Sequence, residues 1–402
     1  MSTNAPQLQS DVLVIGGGIA GCALALFLHK AGLKARVFEA YTDSHGIGGG
    51  LQLAANGMNV LAELGLAGAL AARGTPCHQM AFRDRRGRPL GTMAVPSNGW
   101  PATTILRSTL YELLHDTAVE RGIVIERGKR LIDFDDGVDS VVARFADGSQ
   151  ARGALLVGAD GIHSRVREIL MPDGPRPAFT GLVATGGFAP RAAFRRAGLA
   201  DEAEMTMYFG VGAFMGFCYA DRREGTGAMW WSALAREAPL GADERARLTG
   251  EEGMRSVLAV GEGWNETVSQ VLDATVETIA PLDIFDVATL PYWWRGRVVL
   301  MGDAAHAVSP HSGQGASMAL EDSIALAKRL RDGGLDDLPR SLAAFERERR
   351  GRVERVVAYG RRSGDLKRRG RFGTWLQNQL MRLFLQLRPP DFGWVHNHRI
   401  PW

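Results

Sequence analysis

The segment Gly16-Gly17-Gly18-Ile19-Ala20-Gly21 constrains this chain more than any other. Before it stands Asp11–Ile15, DVLVI, a β-branched run with the character of a buried parallel strand. After it comes an alanine- and leucine-rich stretch to Lys30, which reads as a helix stopped at Gly32. Lys34–Glu39, KARVFE, gives a second strand. Strand, glycine turn, helix and strand are the opening unit of a dinucleotide-binding fold. Gly16 permits the tight turn, Gly18 lets a pyrophosphate approach the backbone, and Gly21 lets helix and strand pack closely. Ile19 and Ala20 lie within the loop, and the N-terminus of the helix behind it offers free N–H groups and partial positive charge to phosphates. Glu39, followed by Ala40, stands where a carboxylate can accept hydrogen bonds from an adenosine ribose. The same charge opposes a 2′-phosphate. The dinucleotide is therefore FAD or NAD(H), and this motif alone does not choose.

Two further segments narrow the choice. Ala154–Arg167, ALLVGADGIHSRVR, is a buried strand running into Asp160-Gly161 and then a helix. Arg297–Ser323, RVVLMGDAAHAVSPHSGQGASMALEDS, is a strand running into Gly302-Asp303, a loop with Pro310, and Gly313-Gln314-Gly315 ahead of a helix that begins at about Ala316. A helix N-terminus behind this glycine pair is suited to hold a delocalised anion without a lysine or arginine.

Taken in order, the three segments resemble the fingerprints of the single-component (group A) FAD-dependent aromatic hydroxylases, the family of para-hydroxybenzoate hydroxylase. Ile105-Leu106-Arg107-Ser108-Thr109-Leu110 is similar to the family's arginine-bearing helix start, and Gly48–Leu66 to its segment beside the isoalloxazine. The resemblance implies non-covalent FAD. Asp303 would bond its ribitol, Arg107 would lie near the pyrophosphate, Leu131 near the adenine and Gly50 near the flavin ring. Asp160 would support the nucleotide region and is linked in the family to NAD(P)H use. NAD(P)H and dioxygen would be co-substrates. A flavin hydroperoxide would pass one oxygen atom to an electron-rich carbon of an apolar, aromatic small molecule. Epoxidation, Baeyer–Villiger insertion or dehydrogenation on the same fold are the rival outcomes, and a non-catalytic FAD-fold escort protein is a rival of another class.

The candidate catalytic residues are Pro310, which would shape the flavin-side loop, and two histidines. His45 is the nearest basic residue where many members carry an arginine, and His311 is one possible member of a proton path, with His78, Tyr208 and Tyr219. Many members also carry an arginine after the pair Thr180-Gly181. Here Thr180–Pro190 reads TGLVATGGFAP and has none, which speaks against an anionic substrate held there. No second GxGxxG provides a separate nicotinamide domain.

The expected fold is mixed α/β: a Rossmann-like FAD domain of the glutathione-reductase type, an inserted antiparallel sheet for the substrate, and a C-terminal helical segment. Residues 1–75, 104–176 and 286–340 would form the FAD domain, 76–103 and 177–285 the substrate domain, and 341–402 the helical region. Glu204–Phe209, Ala213–Ala220 and Ala228–Leu234 read as strands of the insertion. Met207, Phe209, Phe214, Phe217 and Tyr219 are its candidate pocket residues. Gly373–Leu387 is amphipathic, and the tail after Pro389-Pro390 reads as irregular.

A formal net charge of +3 gives no case for nucleic-acid binding. Cys22, Cys77 and Cys218 form no CxxC pair, so neither a disulfide framework nor a metal site is expected. Reduced thiols, a polar start without a signal-peptide pattern and glycines interrupting the apolar stretch Val12–Leu28 point to a cytoplasmic protein without a transmembrane segment, and a monomer or homodimer is expected.

Overall fold

The computed structural model describes residues 9–43, 49–221, 223–248, 253, 263–365, 370–387 and 390–402. An eight-stranded sheet forms its base. Val298–Leu300, Gln150–Gly158, Gln9–Ile15, Ala35–Phe38 and Val124–Glu126 lie side by side and parallel. The central strands are buried along Val12–Ile15, Leu155–Gly158 and Val298–Leu300, as a parallel sheet packed on its faces requires. Ile19–Lys30 is buried from Gly21 to Leu28, and Gly315–Gly333 packs beside it. At the first turn Gly16 has φ +104°, and a Cβ on Gly21 would lie 1.9 Å from the Gly16 carbonyl oxygen. Only glycine at both positions lets the helix leave the strand so abruptly.

A seven-stranded sheet stands over the ends of these strands. Its order is Glu277–Asp286, Ala178–Ala189, Ala228–Ala235, Ala213–Tyr219, Glu204–Phe209, Gln79–Asp84 and Pro89–Ala94. It is antiparallel except where Glu204–Phe209 runs parallel to Gln79–Asp84. The two strands come from separate stretches of chain, so no hairpin dictates their direction. The three strands expected of the insertion, Glu204–Phe209, Ala213–Tyr219 and Ala228–Ala235, pair antiparallel with one another. A small sheet of Gly50–Leu53, Ala102–Leu106 and Thr75–Cys77 joins the two large ones.

Leu338–Asp365 and Arg371–Leu387 are helices, and the latter lies against the edge strand Pro89–Ala94. The chain then turns back. Gly393–His396 forms a short helix, Ile400 is buried, and the Trp402 ring sits 5.4 Å from Phe27. Apart from that one turn of helix the tail is irregular, as its sequence reads, and it is docked on the body of the protein. Among the described residues no helix is long and apolar enough to cross a membrane.

Candidate active site

One cavity of about 1600 Å³ runs between the base sheet and the seven-stranded sheet. Its base-sheet half gathers Gly16, Gly18, Ile19, Ala20, Glu39, Ala40, Gly50, Arg107, Leu131, Asp160 and Asp303. Pro310, Gly313, Gln314, Gly315 and Ala316 border it too. Residues up to three hundred positions apart thus meet on one wall. Gly21 and Gly302 stand behind that wall and shape it. Gly302 has φ +56° and turns the chain so that Asp303 faces the cavity. The depth of Asp303 pushes its carboxyl pKa up, while His306 and Arg107 pull it down.

Glu39 accepts hydrogen bonds from the Gly17 N–H at 2.7 Å and the Tyr41 N–H at 3.0 Å. Each of its oxygens keeps a lone pair for a further donor. Asp160 accepts from the Ser164 hydroxyl at 2.5 Å and the Val166 N–H at 3.0 Å, so it also fixes the start of the next helix. The carbonyl of Pro310 accepts from the Gly313 N–H at 3.0 Å and closes the turn ahead of the helix Gly315–Gly333. His45 and the side chain of His311 lie outside the described residues.

Behind Gln314 lies a buried polar network. The Asn56 side-chain amide donates to Gln314 at 3.0 Å and to Glu321 at 2.7 Å. Asp322 accepts from the Gly302 N–H, from His306 Nε2 and from Arg349 Nε at 2.9, 2.5 and 2.7 Å. Arg349 and Arg352 also bond Glu321. Burial alone would raise the Asp322 pKa, but His306 and Arg349 outweigh it and hold the group near about 2. Sequence reading saw Glu321 and Asp322 only as part of a helix. Two adjacent acids in the mostly apolar first half of that helix were the available signal, because such charges are buried only when paired.

The other half of the cavity comes from the seven-stranded sheet. Met207, Phe209 and Phe214 line it, joined by Met205, Cys218, Met229 and Trp231. Trp231 lies flat across its neighbouring strand, where a Cβ on Gly216 would come within 2.2 Å of the indole. Phe217 and Tyr219 do not line it. Side chains alternate along Ala213–Tyr219, and these two point to the opposite face. There they pack with Phe194, Tyr208 and Trp230, and the Tyr219 hydroxyl donates to the Leu199 carbonyl at 2.6 Å. Tyr359, Gln377 and His396, from the last sixty residues, also border the cavity. Sequence reading missed all three, since nothing local places a C-terminal segment over a distant sheet.

A family model described as an FAD binding domain matches residues 9–359. The chain is 32% identical to the aurachin C monooxygenase/isomerase of Stigmatella aurantiaca, over 92% of this chain and 94% of the relative. The chain belongs to the FAD-dependent aromatic hydroxylases. It is 30% identical to the 6-hydroxynicotinate 3-monooxygenase of Pseudomonas fluorescens, over 86% of this chain and 89% of that one. Klebsiella pneumoniae HpxO complexed with FAD and uric acid superimposes with a TM-score of 0.81 at 26% identity, covering 93% of each chain. This hydroxylase is a monooxygenase and its cofactor is FAD. The cavity suits that cofactor. Two helix N-termini, at Ile19 and Gly315, reach it with no side chain capping either. Positions Gly18, Gly313 and Gly315 open onto free space, leaving their backbone accessible to a ligand.

Proposed function

We propose that this monooxygenase hydroxylates an uncharged, largely apolar aromatic molecule bound between the seven-stranded sheet and the helix Arg371–Leu387. One observation carries the reading. The lining residues contributed by 76–103, by 177–286 and by the last forty-odd positions include no Arg, Lys, Asp or Glu. Every such residue on the wall, among those described, belongs to the FAD half. An ionic substrate would lose its hydration with no partner to replace it. His396 does not change this, because burial and the nearby Arg352 lower its pKa to about 4 and keep it neutral at pH 7. Six methionines line this half: Met80, Met93, Met205, Met207, Met229 and Met381. Their flexible thioethers adapt to a flat ligand and favour contact with aromatic rings.

The chain's own groups divide the work. Gly18 and the N-terminus at Ile19 would take the pyrophosphate, Glu39 the ribose, and Asp303 the ribitol. The N-terminus at Gly315, aligned by Asn56 and Gln314, would stabilise negative charge on the reduced ring. FAD supplies hydride acceptance from NAD(P)H and activation of dioxygen. The apolar half excludes water and places the substrate carbon. Ser232 Oγ and His396 Nδ1, buried and without a hydrogen-bond partner among the described residues, are suited to orient a phenol or amide on that substrate.

The test pairs neutral aromatics with carboxylated analogues of the same shape. Flavin reduction is followed by stopped flow, and incorporation from labelled dioxygen by mass spectrometry. Neutral members should show kcat/KM higher by roughly tenfold or more. Equal or better turnover of the carboxylated members overturns the assignment of an uncharged substrate.

A further inference from the structure

Helix Arg371–Leu387 is apolar on two opposite sides. Inward, Met381 and Leu385 pack on Phe82, Leu90, Phe209 and Phe214, and Arg382 Nε donates to the Pro89 carbonyl at 3.3 Å. Outward, Phe372, Trp375, Leu376, Leu383 and Leu387 are exposed, Phe372 at 75% and Leu387 at 72%. At about 100° per residue these five fall on one continuous arc of the helix. The arc holds two glutamines and no charge, and the helix contains no Asp or Glu at all. A contiguous exposed apolar face of this kind marks an interaction surface.

The charge beside the arc selects its occupant. From Arg361 to Arg388 the sequence holds eight arginines and lysines against one acid, Asp365. Of these, Arg362 and Arg371 are exposed at the approach to the helix. We propose that this helix docks the enzyme on an anionic lipid surface, lying in the plane of the headgroups with Phe372, Trp375, Leu383 and Leu387 inserted. A tryptophan, a phenylalanine and leucines facing outward, flanked by arginines and lacking acids, match such an interface on both counts. A second copy of the chain matches on one only. A two-fold contact through this helix would bring two basic runs together with no acid on the helix to offset them. The same helix walls the cavity with Gln377, Leu380 and Phe384, so docking sets the cavity beside the bilayer. Delivery of substrate from the membrane rests on the apolar-substrate reading. The docking itself does not.

The test is co-sedimentation of the FAD-loaded enzyme with vesicles. Binding is expected to mixed phosphatidylcholine and phosphatidylglycerol, to weaken with salt, and to be much lower on phosphatidylcholine alone. The variant Phe372→Ser/Leu383→Ser/Leu387→Ser should cut partitioning by at least about tenfold. Arg362→Glu/Arg371→Glu should abolish the preference for anionic vesicles while leaving every apolar contact in place. FAD content and turnover in vesicle-free buffer, measured with a neutral aromatic, should match wild type in both. The proposal falls if wild type stays in the supernatant with anionic vesicles at low salt. It falls equally if both variants bind like wild type, or if sedimentation velocity shows a wild-type dimer that the serine variant splits.

Discussion

A single carboxylate gives the sharpest residue-scale test. Asp303 faces the cavity because Gly302 adopts a left-handed turn, and Asp322 fixes that turn by accepting the Gly302 N–H. A hydrogen bond to a charged group contributes roughly 1.5–3 kcal/mol. Asp303→Ala is therefore expected to weaken FAD binding about 10- to 150-fold, measured by titrating apoprotein with FAD and following flavin fluorescence. Cys77→Ala is the control and should leave affinity near wild type. Retention of wild-type affinity in Asp303→Ala removes the ribitol role. The cysteines belong to the same scale. Burial pushes Cys22 up to about 12 and Cys77 to about 11, and raises Cys218 as well. None is a thiolate at neutral pH, which agrees with their reading from sequence as packing residues.

The decisive element is the helix Gly315–Gly333, because its N-terminus borders the cavity while its buried acids hold the loops around it. Arg349 is almost wholly buried and bonds both Glu321 and Asp322. Arg349→Leu would leave two buried carboxylates short of a partner, a loss of about 3–5 kcal/mol by precedent for broken buried pairs. A clear fall in Tm and in FAD retention is expected, read by thermal unfolding of the loaded enzyme. Arg165→Ala, which breaks an exposed pair with Glu168, should shift stability by less than about 1 kcal/mol. The glycine segments that open the helices Ile19–Lys30 and Gly315–Gly333 were legible because each motif is local: strand, turn and helix follow one another in the chain. Strand parity was half legible. Alternation sorts Phe214 from Phe217, but which set meets the cavity depends on helices Arg191–Arg196 and Glu266–Asp273, which cover the other face through Phe194, Val268, Val271 and Leu272. Nothing within Ala213–Tyr219 encodes that.

Across the whole molecule, the part that sequence could not place is the C-terminal return. Arg352 donates to the carbonyls of Trp394 and Val395 at 2.8 Å each while pairing with Glu321, so the tail is pinned to the same network that holds the helix Gly315–Gly333. Those partners lie forty-odd residues apart, and no periodicity spans such a gap. The arrangement has a pH signature. His396 is buried at the cavity edge, and burial together with Arg352 lowers its pKa to about 4, below the usual 6.5. The unfolded chain therefore takes up the proton first as pH falls. The stability due to a neutral His396 is complete above about pH 6.5 and is lost as pH drops toward about 4. A gap of that size corresponds to at most about 3 kcal/mol. His398, lowered chiefly by burial, adds in the same direction, whereas Asp322 contributes only at lower pH, between about 3.8 and 2. Urea unfolding of the FAD-loaded enzyme from pH 7 to pH 4.5 should show wild type losing stability faster than His396→Gln. Parallel pH curves for the two proteins would mean that the tail does not hold His396 in the folded core, and that the cavity edge is open where the structure closes it.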